Sequence, residues 1–498
     1  MKLIVLLIST AALLITGLNG FCQDIPVSSA TEECLECHAT VHPGILGGWQ
    51  KSRHAKITTT QAMAKPELAR RVSTPSIPEG LKATVVGCAE CHTLRPDAHA
   101  DTVEHNGYRI HVVVSPEDCA TCHVKESDQY KKNVMSYAEK NLAENALYQD
   151  LQRHAIGTPK QVGDKIHFEP ADESTREQAC FYCHGTRLKV QGFEKRDSDF
   201  GEMEFALISG WPSQGVGRVN LDGSRGACSA CHTRHTFSIE VARKPDTCME
   251  CHVGPDVPAY KVYKASKHGN IFSSLNSSWD FNAVPWTVGK DFTAPTCAAC
   301  HMSLLVDDEE TVIAERTHRI SNRLGSRIFG LIYAHPQPKS PDTTLIRNKS
   351  GLPLPTDLDG TPASGFLIDG REQAARNQTM QAICLSCHST NWVKGHWKRY
   401  EDTILETNAA TLTATDILKN IWKDGFARGP GVGGSLADEA IEKKWMDIWL
   451  FHANTTRFAA AMAGGGDYGV YAGGRYQISK KILEINDWYQ LRKETNTK

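Results

Sequence analysis

Hydrophobic residues recur with a helical period in the last third of the chain. Between Ser435 and the glycines at 464–466, one face at steps of three and four carries Ile441, Trp445, Ile448, His452, Thr455, Ala459 and Met462. Ser435, with Asp438 three residues on, marks the start of a helix, and the glycines mark its end. Similar patterns at 414–426 and 478–494 predict two more long helices.

A second hydrophobic pattern, at the N-terminus, has a different meaning. Lys2 precedes an unbroken apolar run over residues 3–18 and the small polar pair Asn19-Gly20. This order predicts a secretory signal peptide covering residues 1–22. The alternative is an uncleaved anchor, but a run of roughly 16 residues is short for a span of about 20. Cys22 follows Phe21, which makes a poor lipoprotein signal. We therefore expect export to a periplasm or an equivalent organelle lumen.

Composition narrows the class of protein without naming an activity. The chain has 498 residues, of which 40% are hydrophobic and 22% charged, as in ordinary soluble proteins. The formal net charge is only -2, so a basic surface for nucleic acid is not expected. Between residues 23 and 402 no repeat period is visible, and helical periodicity is weak.

Cysteines carry the strongest chemical signal. Sixteen of the seventeen belong to eight Cys-x-x-Cys-His motifs. In chain order the motifs are Cys34-Cys37-His38, Cys88-Cys91-His92, Cys119-Cys122-His123, Cys180-Cys183-His184, Cys228-Cys231-His232, Cys248-Cys251-His252, Cys297-Cys300-His301 and Cys384-Cys387-His388. Two thiols three residues apart can each form a thioether with a haem vinyl group, and the adjacent histidine then ligates the iron.

Zinc sites and disulfides are the competing interpretations of paired cysteines. Neither requires a histidine after every second cysteine. Histidine accounts for 21 of 498 residues, so finding it there eight times by chance has a probability of about 10⁻¹¹. The sequence therefore predicts eight covalently bound haem c groups with iron. Haem supplies apolar mass, so we expect a mainly α multihaem cytochrome c, with short helices and loops around eight haems in residues 23–402. Long helices without haem motifs are expected in 403–498.

Thirteen histidines remain for the distal side of the irons. His235 stands three residues after His232, and such a histidine often reaches a neighbouring haem. Polar or glycine-flanked segments carry the other candidates, which are His54, His111, His268, His318, His335 and His396. Charged neighbours make His99, His105 and His167 look solvated. His452 points inward on its helix, either as a core histidine or as a residue of the haem site.

Specific stretches resemble the octahaem hydroxylamine oxidoreductase family. They are Cys228-Ser-Ala-Cys-His-Thr-Arg-His-Thr-Phe-Ser, Cys248-Met-Glu-Cys-His-Val-Gly-Pro-Asp256, Ser266-Lys-His-Gly269, His388-Ser-Thr-Asn-Trp392 and Phe451-His-Ala-Asn454. Asp369, Glu372 and Arg376 before motif eight, and Asp467-Tyr468 near the end, also match. The resemblance covers essentially the whole mature chain.

The resemblance implies a site and an assembly. Members have seven bis-histidine haems and one five-coordinate catalytic haem at the fourth motif, which here is Cys180, Cys183 and His184. In oxidising members a tyrosine of a neighbouring subunit is bonded to that haem, and Tyr468 is the best match, with Tyr471 close behind. By resemblance, Asp256, Tyr468 and His184 are the catalytic residues. A homotrimer, or a hetero-oligomer with a paralogue, is the expected assembly.

This sequence departs from the family around proton delivery. Members have an Asp-His pair, whereas here Val257 follows Asp256, and valine cannot carry a proton. Tyr471-Ala472-Gly473 stands where relatives have Trp-His-Gly, and Tyr137 occupies a position that holds histidine in relatives.

Two classes of function remain open. The first is redox conversion of hydroxylamine, nitric oxide or nitrite at one open haem, in the oxidative or the reductive direction, with seven haems carrying electrons. The second is a non-catalytic electron-transfer subunit paired with an active paralogue. Both need a redox partner, either a small cytochrome or a quinone-linked complex.

Overall fold

The computed structural model describes residues 25–199, 201–210, 214–430 and 435–496. The predicted signal peptide, including Cys22, lies outside these residues. Within the described ranges, the helices are all too short or too polar to cross a bilayer.

Short helices dominate the described residues up to His301. They span 4 to 13 residues each. In order they are α1 Ser29–Val41, α2 Pro43–Lys51, α3 Thr59–Met63, α4 Cys88–His92, α5 Pro116–Cys119, α6 Val124–Lys131, α7 Ala138–Glu144, α8 Ala146–Ile156, α9 Glu173–Gln178, α10 Cys180–His184, α11 Ile239–Arg243, α12 Pro245–Met249, α13 Ala259–Ala265, α14 Lys267–Leu275 and α15 Cys297–His301.

Strands form small, separate sheets. They are β1 Val103–His105, β2 Tyr108–Ile110, β3 Thr158–Val162, β4 Lys165–Glu169, β5 Lys189–Ser198, β6 Gly201–Ser209, β7 Trp286–Thr287, β8 Leu305–Val306, β9 Val312–Ala314, β10 Ser326–Arg327 and β11 His335–Pro336. Four antiparallel pairs, β1–β2, β3–β4, β5–β6 and β10–β11, stand beside one three-stranded sheet, β7–β8–β9. The fold is therefore mainly α, as the sequence predicted.

Several haem motifs coincide with a single helical turn. Helices α4, α10 and α15 each run from the first cysteine of a motif to its histidine. Residues three and four apart lie on one face of a helix, so each turn presents two thiols and one imidazole together. Caps fix where such a turn begins, as where the Thr296 side chain accepts a hydrogen bond from the Ala299 amide.

Helices of 7 to 34 residues follow residue 370, and they include the long C-terminal helices that the sequence predicted. They are α16 Gly370–Leu385, α17 Thr390–Lys423, α18 Ala440–Met446, α19 Ala453–Ala461 and α20 Arg475–Asn496. The predicted helix from Ser435 starts instead at Ala440, because Glu439 and Glu442 form a capping box there. A π-helical segment, Asp447–His452, joins α18 to α19, and a second one, Tyr468–Ala472, precedes α20. The predicted domain boundary at 402/403 falls inside α17 and stays a prediction.

The C-terminal helices enclose a protein core. Leu418 and Ile421 of α17, Trp445 of α18 and Ile485 of α20 are fully buried in one cluster. The Trp445 indole donates to Thr415 Oγ1 at 2.9 Å, which satisfies its single polar atom. Side chains of this region thus bury their apolar surface against one another.

Candidate active site

A cavity of about 1800 Å³ runs through the region that carries the motifs. Cysteine and histidine side chains of the last five motifs line it, among them Cys180, Cys183, His184, Cys231, His232, Cys248, Cys251, His252, Cys297, Cys300, His301, Cys384, Cys387 and His388. Pockets for small ligands measure roughly 300–1,000 Å³, and protein interiors are otherwise close-packed. The size of the cavity indicates more than one bound group.

Buried histidines in this region fit a metal-bound prosthetic group. Burial lowers the pKa of His92, His232 and His301 to about 4, which leaves each ring neutral. A neutral imidazole is the form that ligates a metal. The buried Nδ1 atoms of His301 and His318 have no hydrogen-bond partner among the described residues. The residues present therefore fit haem c, with thioethers from the cysteines and iron ligation by the histidines.

Four motif histidines face a second histidine ring. The pairs, with their centroid separations, are His38–His105 at 6.1 Å, His123–His54 at 6.3 Å, His232–His318 at 6.5 Å and His388–His268 at 6.1 Å. Two metal–nitrogen bonds of about 2 Å each, plus half the width of each ring, account for such a separation. The arrangement supports His54, His268 and His318 as distal ligands.

His105 was missed by sequence reasoning. Charged neighbours such as Glu104 made it look solvated, yet the β1–β2 hairpin carries it to His38 of the first motif. The sequence did carry one signal for a hairpin at this position. His105 directly precedes Asn106-Gly107, a pair typical of tight hairpin turns.

His111 has a different environment from the facing pairs. Its ring centroid lies 6.2 Å from that of His92, but its carbonyl accepts a hydrogen bond from His92 Nδ1 at 2.8 Å, so it lies on the edge of His92 away from Nε2. Its ring stacks on His99 at 3.6 Å, and both rings lie beside Asp118. His99, expected to be solvated, is buried, with its ring against His111 and its Nε2 3.1 Å from an Asp118 oxygen. Ligation of an iron by His111 stays a prediction.

Three other predicted distal ligands lie close to motif histidines or to the cavity wall. His235 lies near His92 and contributes to lowering its pKa. His335 is buried, and its Nδ1 donates to the Pro336 carbonyl at 2.7 Å. His396 is buried and stacks on Trp392, with ring centroids 5.1 Å apart. Their ligation also stays a prediction.

Motif four differs from the four motifs with facing pairs. His184 donates from Nδ1 to the Ala138 carbonyl at 3.3 Å, which orients its ring. In the described ranges no histidine ring faces His184, and the same holds for His252 and His301. The structure is therefore compatible with an open coordination position at motif four. Motifs six and seven share this feature.

Asp256, which the resemblance predicted, is an ionisable group beside motif four. Its negative charge acts on Cys180, Cys183 and His184, and its side chain lines the cavity. Asn454 of α19 donates to the Asp256 carbonyl at 2.8 Å, which ties this loop to the C-terminal helices.

Gly254 leaves room for the Asp256 carboxylate in this loop. A Cβ on Gly254 would collide with Asp256 Oδ1, so a larger residue would displace the carboxylate. The resemblance predicted Asp256, and the structure places it at motifs four and six, since His252 also lies within reach of its charge.

Val257 and Tyr468 belong to one apolar cluster. Val257, where relatives have histidine, packs against a cluster that contains Val262 and Phe458, and Tyr468 packs against the same cluster. Burial raises the pKa of the Tyr468 phenol. Within the single chain Tyr468 thus packs against the same cluster as Val257, while Tyr471 is exposed. A bond between Tyr468 and haem stays a prediction. Tyr137 lies under the Arg225 guanidinium, 5.2 Å from the ring centroid.

Two further histidines lie near this wall. His154, which sequence reasoning missed, lines the cavity from α8, with Asp150 Oδ1 3.4 Å from its Nδ1. His452, for which two roles were open, donates from Nδ1 to the Gly473 carbonyl at 3.0 Å. That bond favours a structural role in joining the two π-helical segments.

Comparisons with known proteins decide the class. The family model "Seven times multi-haem cytochrome CxxCH" matches residues 214–318. A solved structure titled "Hypothetical multiheme protein" is 40% identical to this chain, with a TM-score of 0.88 over 95% of this chain and 97% of that one. The chain is a multihaem c-type cytochrome.

This cytochrome is also related to HAO-like proteins, as the resemblance indicated. A chain of the Kuenenia stuttgartiensis reducing HAO-like protein complex shares the fold, with 18% identity and a TM-score of 0.61 over 94% of this chain and 86% of that one. A probable nitrite reductase-hydroxylamine oxidoreductase fusion protein of the same organism is 23% identical over 378 residues, 74% of this chain. The cytochrome spans about a third, 35%, of the length of that relative.

Proposed function

We propose that this cytochrome converts a small nitrogen compound at one open haem held by Cys180, Cys183 and His184. The other motifs carry electrons to or from it. Eight haems are proposed, one for each motif of the sequence. The observation that supports this most strongly is Asp256, an exposed carboxylate on the cavity wall whose charge acts on all three of those residues.

The reductive direction is favoured, with nitrite or hydroxylamine as the substrate. A bound haem iron with an open position supplies a site for nitrogen ligands and one-electron steps. The structural relative is titled a reducing HAO-like complex. Tyr468, whose bond to haem is expected of oxidising members, packs in its own chain against the cluster that holds Val257.

Asp256 has a definite task in this direction. Each oxygen that leaves nitrite as water needs two protons, and the proposal assigns their delivery to Asp256. Because it is exposed, Asp256 can recover protons from water. Val257 cannot relay a proton, so the proposal assigns delivery to the neighbouring carboxylate of Asp256. Asn454 ties the loop to α19 through its hydrogen bond to the Asp256 carbonyl.

The test replaces Asp256 with asparagine. Asp256→Asn should lower nitrite turnover by about 10²–10⁴-fold, the usual contribution of a positioned acid, while nitric oxide still binds the ferrous protein. Asp308→Asn, an exposed carboxylate outside the cavity lining, is the matched control and should keep wild-type turnover. Wild-type turnover in Asp256→Asn would contradict the proposed role.

A non-catalytic electron-transfer subunit is the second candidate, and Val257 favours it. If the reduced protein binds neither carbon monoxide nor nitric oxide, this candidate replaces the first. Val257→His offers a further comparison, because it restores the second proton-carrying group beside Asp256. A rise in turnover would show that proton delivery limits the rate of the native enzyme. Unchanged turnover would show that the residue at position 257 does not limit the rate.

Location and assembly complete the proposal. We propose export by the signal peptide at residues 1–22 into a periplasm or organelle lumen, where haem c is attached. A homotrimer or a complex with a paralogue is proposed, and an HAO-like relative does form a protein complex. Mass spectrometry of the mature N-terminus tests the export proposal. The mass of the native particle tests the proposed assembly.

A further inference from the structure

A buried cluster of two histidines and one carboxylate lies between motifs two and three. His99 and His111 flank the β1–β2 hairpin, and Asp118 lies in α5, directly before Cys119 of motif three. All three side chains are buried, and one potential ligand atom from each lies within 4.8 Å of the others. These residues do not line the large cavity, so the chemistry proposed at motif four leaves them without a task.

The distances within this cluster fit one tetrahedral metal ion. Asp118 Oδ2 lies 3.1 Å from His99 Nε2 and 3.7 Å from His111 Nε2. Two ligands bonded to zinc at about 2.0–2.2 Å lie roughly 3.3–3.5 Å apart at the tetrahedral angle. The two rings are stacked with centroids 3.6 Å apart, and both present Nε2 to the same carboxylate oxygen. The three atoms therefore surround a position where one ion would contact them all.

Hydrogen bonds alone do not satisfy the two rings. Both ring nitrogens of His111, and Nδ1 of His99, are buried and have no hydrogen-bond partner among the described residues. A neutral imidazole carries one N–H donor, and a buried donor without a partner costs free energy. Asp118 lies within hydrogen-bond distance of His99 but not of His111. A metal ion would give His111 Nε2 the partner that it lacks.

The charges around the cluster also favour a divalent cation. Asp101, Asp118 and Asp222 are shielded from solvent, with side-chain exposures of 3% or less. In the part of the chain that the structure describes, Arg95 is the one arginine or lysine that pairs with them. Protonation of both histidines would balance the two remaining charges, but it would stack two positively charged rings 3.6 Å apart. One divalent ion supplies the same charge without that repulsion.

Neighbouring groups hold these ligands in the way that metal sites require. Arg95 Nε donates to Asp118 Oδ1 at 2.9 Å, and the Ser115 amide donates to Oδ2 at 2.8 Å, which fixes the carboxylate. Asp101 Oδ1 lies 3.8 Å from His99 Nδ1, and each of these two buried atoms lacks a hydrogen-bond partner within the described ranges. A carboxylate behind the second nitrogen of a metal-bound histidine is the usual arrangement around such sites.

We propose that His99, His111 and Asp118 bind a divalent transition-metal ion, with zinc as the best fit to two imidazoles and one carboxylate. The ion joins the two ends of the β1–β2 hairpin to α5, and this hairpin carries His105 to His38 of motif one. Its role is structural and independent of the chemistry proposed at motif four. Iron ligation by His111 and binding of this ion need the same ring, so the two assignments exclude each other.

Metal analysis of the haem-loaded protein is the first test. Protein from zinc-supplemented cells, freed of loosely bound metal by gel filtration in EDTA, should carry about one zinc ion per chain by mass spectrometry of the elements. X-ray absorption at the zinc edge should show nitrogen and oxygen neighbours at about 2.0–2.2 Å. Sulfur neighbours at about 2.3 Å would place zinc on a cysteine pair without haem and would overturn the proposal. A protein with no stoichiometric divalent transition metal beyond its haem iron would overturn it too.

Variants then locate the ion. His111→Phe keeps a ring stacked on His99 but removes both nitrogens, so its zinc content should fall below about a tenth of wild type with an unchanged haem content. His167→Phe, on the exposed strand β4, is the matched control and should keep its zinc. Asp101→Asn should weaken zinc binding about 10–100-fold in competition with a chromophoric chelator, because it removes the carboxylate behind His99.

Two results with the variants would contradict the site. Wild-type zinc binding in both His111→Phe and Asp101→Asn would show that the ion lies elsewhere. A high-spin ferric haem signal in the electron paramagnetic resonance spectrum of His111→Phe, absent from zinc-free wild type, would show that His111 ligates haem iron instead. Neither measurement involves nitrite turnover, so the proposed chemistry at motif four is tested separately.

Discussion

The helices after residue 403 bury their apolar side chains against one another, whereas the short helices before it surround a cavity. Trp445, Leu418 and Ile485 lie in a continuous cluster of protein side chains. In the earlier part, five of the eight motifs line a space of about 1800 Å³. One chain thus draws its apolar mass from two sources, its own side chains and covalently attached haem.

This difference teaches where stability comes from. Protein interiors approach the packing density of organic crystals, and unfilled volume costs free energy. In the C-terminal helices each apolar residue contributes to stability once the chain collapses. In the motif region the stabilising contacts form only when the cavity is filled, so folding there is coupled to haem attachment in the manner of other metal-dependent domains.

Withholding haem should give the largest effect. In the absence of haem-attachment enzymes, the backbone amides of α4, α10 and α15 should exchange with solvent hydrogen at once, because these turns lose the groups that hold them. Amides of α17 beyond residue 403 and of α20 should keep more protection. Hydrogen exchange read by mass spectrometry checks both regions in one sample. Full protection at α10 in the haem-free chain would contradict the comparison.

Removing a large side chain from the protein core should have the next largest effect. Trp445→Ala should lower the free energy of unfolding by about 3–5 kcal/mol, since it leaves a cavity in a packed cluster. Leu483→Ala is the control, because Leu483 is 62% exposed and its truncation should cost no more than about 0.5 kcal/mol. Denaturant unfolding of the haem-loaded protein measures both. Equal midpoints would show that the C-terminal core is not close-packed.

A buried carboxylate in the motif region should stabilise the protein above acidic pH. Burial alone would raise the pKa of Asp222, but hydrogen bonds from Ser115 and Ser224 and the Arg95 guanidinium outweigh it and hold the pKa below 3.8. The ionised form is favoured in the folded state, so its contribution is present above about pH 3.8 and is lost as pH falls further. Asp222→Asn should cost about 1.5–3 kcal/mol at pH 7.

Denaturant unfolding in acid checks the direction of the pH dependence that Asp222 contributes to stability. The gap between Asp222→Asn and wild type should narrow as pH falls below 3.8. Asp97→Asn, which removes an exposed partner of Arg109, should cost less than about 1 kcal/mol at any pH. A gap that widens in acid would mean that the folded state protonates Asp222 more readily than the unfolded chain does.

A carboxyl of the C-terminal core should show the opposite pH dependence. Burial raises the pKa of Glu442 to about 8 from its ordinary 4.5, although the Trp422 indole donates to it at 2.9 Å. The folded state then holds the proton more tightly, so this contribution to stability is lost as pH rises from about 4.5 through about 8. Glu442→Gln should become more stable relative to wild type over that range in thermal melts. Parallel curves for Glu442→Gln and the exposed control Glu494→Gln would show that Glu442 ionises normally.

Sequence periodicity was sufficient for the long helices and insufficient for their interruptions. The predicted segments at 414–426 and 478–494 lie largely within α17 and within α20, because apolar residues at steps of three and four need a partner face. The π-helical segment Asp447–His452 has no comparable signal, since one extra residue in a turn leaves the apolar pattern nearly unchanged.

Histidine partners were harder to predict than haem attachment. A Cys-x-x-Cys-His motif is local, whereas His105 meets His38 only through the β1–β2 hairpin, 67 residues along the chain. Charged neighbours suggested solvent for His99, but its ring is buried against His111 and Asp118. Such pairings depend on tertiary structure, and the sequence near each histidine carries no trace of its partner. Val257 is a case in which the structure explains a departure that the sequence showed. Its side chain packs against an apolar cluster, which suits valine.

The large cavity among the motifs has a consequence for the cell. Because folding of this region requires the attached cofactor, the quantity of intact protein is set by iron uptake and porphyrin synthesis as well as by translation. A cell short of iron would synthesise chains that never mature and that proteases remove. Abundance of this cytochrome would then report iron nutrition before it reports demand for its chemistry.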